Sequence, residues 1–247
     1  MSRATAILFA IVCYAIFFAT FLYLVGFIGD FAVIAKTVDR PGASVGVGGA
    51  VIIDLALIAL FGVQHSVMAR PGFKKAWTKI VPTVAERSVY VLLASIALMV
   101  MFAFWQPIDA VVWNAVSPLA RGVLWALFWA GFGIVLISTF LINHFELFGL
   151  QQAWFHTRGH DEQPPQLREP SLYRLVRHPM MGGFFLAIWA IPTMTAGHLL
   201  LAAGLSVYIL VALHYEERDL VGLFGADYEN YRGRVGMLVP RFRRRRA

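Results

Sequence analysis

Three short polar clusters carry most of the chemistry-capable residues of this 247-residue chain. The first is Asn143-His144-Phe145-Glu146-Leu147-Phe148-Gly149-Leu150-Gln151-Gln152. His144 is a candidate base and Glu146 a candidate partner that orients it. A helix end capped by polar side chains explains the same cluster equally well. The second is Tyr173-Arg174-Leu175-Val176-Arg177-His178-Pro179, followed by Met180, Met181 and the small pair Gly182-Gly183. Pro179 suits the first turn of a helix, and a helix start with free N–H groups favours an anion. Arg177 and His178 strengthen that preference. The third is His214-Tyr215-Glu216-Glu217-Arg218-Asp219. Two adjacent carboxylates beside an apolar run need an arginine or a cationic ligand, and Arg177 and Arg218 are the candidates for salt bridging. One cluster suits an anionic group and another a cationic one. A zwitterionic, sulfonium-bearing amino-acid ligand fits the two together, if the fold brings them to one place.

The elements that must position these clusters are read from composition. Hydrophobic residues make up 59% of the chain, charged ones 14%, and mean hydropathy is +0.69. Soluble domains carry about 25% charged residues, so the composition points to an all-α polytopic membrane bundle. It excludes a disordered chain and a free cytosolic enzyme. With Cys13 the single cysteine, an intrachain disulfide and a cysteine-based metal site are excluded too, and no metal is expected. A bilayer crossing needs about 20 apolar residues. Spans are predicted at Ala4 to Ile28, Val47 to Met68, Ser88 to Trp105 and Gly122 to Ile142. The block Met180 to Leu213 is too long for one span and is broken by Pro192 and Gly197. It reads as a hairpin of two shorter helices, and the whole chain as one domain, 1–247.

Charge sets the orientation. Arg70, Lys74, Lys75, Lys79 and Arg87 flank one connection, and Arg241 and Arg243 to Arg246 form a basic tail. The alternate connections are poor in basic residues. Both termini are therefore expected in the cytoplasm, together with Asn143 to His178 and the segment after Leu213. The tail is read as topogenic and lipid-binding, at about 1 kcal/mol per residue, and not as a nucleic-acid arm. The stretch Arg158 to Glu169, with Pro164-Pro165, reads as an exposed connector rather than a lid. Within the second span, Asp54 and His65 share a face, being eleven residues or about three turns apart. Intramembrane ionisable groups are functional candidates. His65 lies near the cytoplasmic end and is a candidate for the substrate site. Asp54 reads as an interhelical hydrogen-bond partner.

Arg177-His178-Pro179, Gly182, Glu216-Glu217, Leu220, Phe224-Gly225, Tyr228, Tyr231 and Pro240 resemble the C-terminal signature of the isoprenylcysteine carboxyl methyltransferase and phospholipid methyltransferase superfamily. That pattern often has tyrosine where this chain has Met181. The N-terminal half, with Gln64 to Arg70, Glu86 to Tyr90 and His144 to Leu150, is similar to the bacterial methanethiol S-methyltransferases of the NnrU-related branch. The resemblance implies S-adenosyl-L-methionine as cofactor, bound within 143–247, and residence in the bacterial inner membrane. Its cofactor-binding candidates are Tyr173, Arg177, His178, Pro179, Met181, Gly182, Tyr215, Glu216 and Glu217. It also implies a small volatile thiol, methanethiol, as substrate, with dimethyl sulfide as product. His144, Glu146 and His178 are then the catalytic candidates, and His65 and Tyr231 the substrate-facing ones. Burial of one CH₂ yields only about 0.8 kcal/mol, so a filled pocket that excludes larger molecules is expected. The competing readings are a prenylated thiol or phospholipid substrate, and a non-catalytic accessory membrane protein whose histidines hold haem. A C-x-x-C-H attachment motif is lacking.

Overall fold

The computed structural model describes residues 1–160 and 165–241. Arg243 to Arg246 and Pro164, singled out above, lie outside the described residues. Among the described residues, five helices are long and apolar enough to cross a bilayer: α1 (Arg3–Ile28), α2 (Val47–Ala69), α4 (Thr83–Phe104), α5 (Pro118–Ile142) and α9 (Ala196–Phe224). Shorter helices are α3 (Pro71–Trp77), α6 (His144–Leu147), α7 (Leu150–Arg158), α8 (Pro179–Trp189) and α10 (Ala226–Arg234), with a single 3₁₀ turn at Ser171–Arg174. The chain is an all-α membrane bundle, as composition requires. Large apolar side chains such as Leu8, Ile52, Val63, Ile137 and Val207 face outward. In lipid that is their favourable side, because a spanning helix satisfies its own backbone.

α4 packs between α1 and α2, α2 packs on α9, and α5 packs along α8. Arg3 approaches Gly159 at the end of α7, and Val176 forms a parallel bridge with Gly236. Both ends of the described chain therefore sit at one end of the bundle, as an even number of crossings demands. Asp54 is fully buried, and its carboxylate accepts the Gln106 N–H at 2.8 Å, tying α2 to the far end of α4.

The hairpin is less symmetric than expected. Its second arm, α9, has 29 residues and runs on past Leu213 to carry Tyr215 to Asp219. Its first arm, α8, has only 11 residues, about 16 Å of helix against a core of about 30 Å. The remainder of the crossing is extended backbone, which hydrocarbon does not tolerate unpaired. Strand β1 (Val111–Asn114) supplies the partners. It pairs antiparallel with β2 (Thr193–Thr195), and the Ala115 N–H donates to the Pro192 carbonyl at 2.8 Å. The Trp113 indole donates to the Ile191 carbonyl at 3.2 Å.

α8 is held against α5 by a contact between backbones. A Cβ on Gly131 would lie 2.6 Å from the Ala187 nitrogen, and one on Gly183 would lie 2.7 Å from the Gly131 carbonyl. A Cβ on the adjacent Gly182 would meet nothing within 4 Å. Close approach through small residues is a general device for packing helices in lipid. Gly131→Ala should therefore destabilise the protein by about 1–3 kcal/mol, whereas Gly182→Ala should not lower stability and can raise it by up to about 1 kcal/mol. Thermal unfolding of the two variants in detergent is the check, and equal melting temperatures would contradict this account.

Candidate active site

The site is built around the start of α8. Arg177 is buried, and its Nε donates to Glu217 Oε1 at 2.7 Å. Its Nη1 donates to the carbonyls of Arg232 and Val235. His178 Nε2 stands 3.2 Å from the same Glu217 oxygen. The backbone joins in: the Arg177 N–H donates to Gly236 at 2.8 Å and the His178 N–H to Met237 at 3.1 Å. The approach to α8, the end of α9 and the stretch after α10 thus meet on one buried ion pair. Pro179 begins the helix and no side chain caps it. The N–H groups of its first turn are thus free of side-chain caps, and Met180 and Met181 border the space beyond.

That space is a cavity of about 520 Å³ bordered by polar groups. Glu146 borders it from α6, Glu216 from α9, Arg177 and His178 from the start of α8, and Tyr173 and Tyr231 from the segments beneath. The Tyr231 hydroxyl donates to the Tyr173 carbonyl at 2.6 Å, bracing the two. Burial pushes the Tyr231 phenol up to about 12, with the nearby Glu169 charge adding to the effect. Burial also raises Tyr173, helped by Glu216. Both phenols stay neutral at physiological pH.

A second cavity, about 290 Å³ and almost wholly apolar, runs into the middle of the bundle between α1, α4, α5, α8 and α9. Phe17, Phe21, Leu98, Phe184 and Leu205 are among its walls, and His65, Tyr90 and Tyr208 lie toward its polar end. The Tyr90 hydroxyl and His65 Nε2 are 2.9 Å apart. Arg87, Met180 and Met181 border both cavities. They form the seam where a polar ligand and an apolar one would meet. Gly149 brings the two sides together. Its φ of +86° suits glycine, and a Cβ there would lie 2.5 Å from Ser88 Oγ, beside Arg87.

The chain can now be placed among known proteins. A family model described as NnrU protein matches residues 54–237. The chain belongs to the NnrU family. A methanethiol S-methyltransferase of Mycobacterium tuberculosis is 50% identical over 97% of this chain and 98% of its own length. Methanethiol S-methyltransferase 2 of Bradyrhizobium diazoefficiens is also 50% identical, over 100% of this chain and 94% of its own. Nurim of Homo sapiens is 34% identical over 68% of this chain and 66% of its own. No solved structure matches the chain.

This NnrU-family structure distributes the sequence-derived candidates unevenly. Tyr173, Arg177, His178, Met181, Glu216, Glu146 and Tyr231 all border the polar cavity. Pro179 is buried behind them, Gly182 sits one turn deeper in α8, and Tyr215 points outward. Glu217 turns away from the cavity toward Arg177. His65 borders the apolar cavity instead. His144 and Glu146 are not brought together. His144 Nδ1 lies 2.8 Å from Thr139 Oγ1 and Nε2 lies 2.8 Å from the Tyr14 hydroxyl, while Glu146 accepts from Asn143 at 2.9 Å. Burial lowers the His144 pKa, so its ring stays neutral. Among the described residues, groups of three or more His, Cys, Asp or Glu that could hold a metal are absent. Sequence reasoning passed over Arg87 as a site residue, although the Glu86 to Tyr90 motif contained the signal.

Removing one partner of a buried pair leaves an uncompensated charge. Glu217→Ala should destabilise the protein by about 3–5 kcal/mol, while Glu216→Ala, on the cavity wall, should cost no more than about 0.5 kcal/mol. Unfolding measurements on both variants test the distinction. A Glu217→Ala protein as stable as its parent would show that the pair is not what holds α8.

Proposed function

We propose that this chain is an S-adenosylmethionine-dependent methanethiol S-methyltransferase of the cytoplasmic membrane, working as a single domain with the site at the cytoplasmic face. The observation that carries this reading is the pair of cavities, one polar and one apolar, sharing the Met180–Met181–Arg87 seam. The near-full-length similarity to methanethiol S-methyltransferases gives it a substrate. The basic residues Arg70, Lys74, Lys75 and Lys79 lie between α2 and α4, at the site end of the bundle, which favours the cytoplasmic side.

The polar cavity fits the cofactor. Its volume falls in the usual range for small-molecule sites. The uncapped first turn of α8 suits a carboxylate. Glu216 and Glu146 suit its cationic groups, and Leu220, Leu223 and Phe224 offer an apolar patch for a nucleobase. When bound, S-adenosylmethionine supplies an electrophilic methyl group carried on a sulfonium. The chain's own part is to place a thiol at the seam, keep water away and align it. A dry, low-dielectric wall favours a reaction in which opposite charges cancel. His144, with both ring nitrogens engaged, serves as a brace for that wall.

The apolar cavity is not filled around a one-carbon thiol, contrary to the expectation from burial energetics. At about 290 Å³ it is several times the roughly 30 Å³ that one water occupies in the liquid. Discrimination by overpacking therefore does not operate for short alkyl chains. Purified protein given labelled S-adenosylmethionine and methanethiol should release labelled dimethyl sulfide into the headspace. Ethanethiol and propanethiol should also be methylated, with KM falling about fourfold per added CH₂ at about 0.8 kcal/mol each. A prenylcysteine competitor should not be methylated. Methylation of the prenylcysteine in place of methanethiol would transfer the assignment to the lipid-acting branch.

A further inference from the structure

We propose that Arg87 is the group that holds the substrate as a thiolate. The assignment rests on the thiol-methylating reading above and adds to it the residue that activates the nucleophile. Thiols react as thiolates, and an unperturbed cysteine thiol titrates near 8.5, so only a small fraction is ionised at neutral pH. Some group at the seam must shift that balance.

Arg87 has the position and the free charge for it. It is half-buried near the start of α4 and borders both cavities, as only Met180 and Met181 do besides. Its guanidinium has no hydrogen-bond or ion-pair partner among the described residues, whereas Arg70 is paired with Asp219 at 2.9 Å and Arg177 with Glu217. Lys74 on α3 and Glu86 on α4 are its charged neighbours, and Lys74 feels its charge. Across the polar cavity stand Glu146, which accepts from Asn143, and Glu216, which lies 3.9 Å from His178 Nδ1. In the apolar cavity, His144 is engaged at both ring nitrogens and His65 Nε2 is taken by Tyr90. Neither histidine offers the cavity a free cation. Arg87 does, and a guanidinium never loses its proton at working pH.

Arg87 is not a base. The thiol proton leaves to water as the thiol enters, before the cofactor closes the seam, and the guanidinium stabilises the sulfur anion that remains. That sulfur then bonds to the donor's methyl carbon as the bond from carbon to sulfonium breaks, with the electron pair staying on the departing sulfur. An opposite charge at short range shifts an ionisation by about 1–3 pKa units, which sets the size of the effect.

The test uses full-length protein in lipid nanodiscs, as parent, Arg87→Gln and Arg87→Lys. Difference ultraviolet absorbance of bound ethanethiol, without cofactor, reports the thiolate midpoint against pH. The midpoint should lie below that of free ethanethiol in the parent and in Arg87→Lys. It should rise by about 1–3 units in Arg87→Gln. The kcat/KM of Arg87→Gln at pH 7 should fall about 10- to 1000-fold and recover as pH rises, while its calorimetric affinity for S-adenosylmethionine stays within about twofold of the parent. An unmoved midpoint with cofactor affinity lost in step with rate would place Arg87 on the cofactor and overturn the proposal. So would unchanged kinetics in Arg87→Gln. Should that variant not fold, the parent decides: a bound-thiol midpoint at or above the free value overturns the assignment. A parent that makes no dimethyl sulfide at any pH refutes the methanethiol reading separately, and a lowered midpoint in that same protein still supports the role of Arg87.

Discussion

The Arg177–Glu217 pair holds together what no single helix could. α8 has 11 residues and lacks the length to anchor itself across a bilayer. Along its middle it is clasped to α5 through Gly131 and Gly183, and at its start it is fixed by a guanidinium that also binds carbonyls at the end of α10. Burying two ions costs desolvation energy that their attraction only partly offsets. What the arrangement supplies is geometry. The planar guanidinium has donors in a fixed fork, and here they fix three segments remote in sequence at one point.

Placement of that pair decides what each neighbour can do. Glu217 faces inward and is used up. Glu216, one residue earlier, is rotated by about 100° on the helix and faces the polar cavity. His178 bridges the two carboxylates, at 3.2 Å from one and 3.9 Å from the other. The structural and the ligand-facing charges are thus adjacent in sequence and separate in space. The same division recurs at α6, where His144 braces the apolar cavity and Glu146 faces the polar one.

Much of this was legible in the residues. The apolar runs located the first four long helices to within a few positions, because a bilayer imposes length and apolarity together, whereas the second hairpin arm, read as a short helix ending by Leu213, runs on to Phe224. Pro179 marked the start of α8, and the hairpin brought the Arg-His and Glu-Glu clusters to one side. Three features were not legible. Which of Glu216 and Glu217 turns inward depends on the rotation of a 29-residue helix, and both neighbours are polar enough to serve. The pairing of Ala110 to Ala115 with Pro192 to Gly197 joins segments some eighty residues apart, and a short exposed strand carries no periodic signal. The importance of Arg87 lies in its having no partner among the described residues, and an absence of pairing appears only once the other charges have found theirs.

The parallel bridge between Val176 and Gly236 has a consequence for biogenesis. The ribosome releases the chain in order, so α1 to α9 can enter the membrane before Val235 to Met237 exist. Until those residues emerge, the Arg177 guanidinium lacks the Val235 carbonyl, and the backbone N–H groups of Arg177 and His178 lack the carbonyls of Gly236 and Met237. The nascent protein is therefore a threaded but open bundle, and the polar chamber closes as a last act of assembly. A stop codon a few residues before Gly236 would leave a protein that inserts, keeps its spans and lacks a finished chamber.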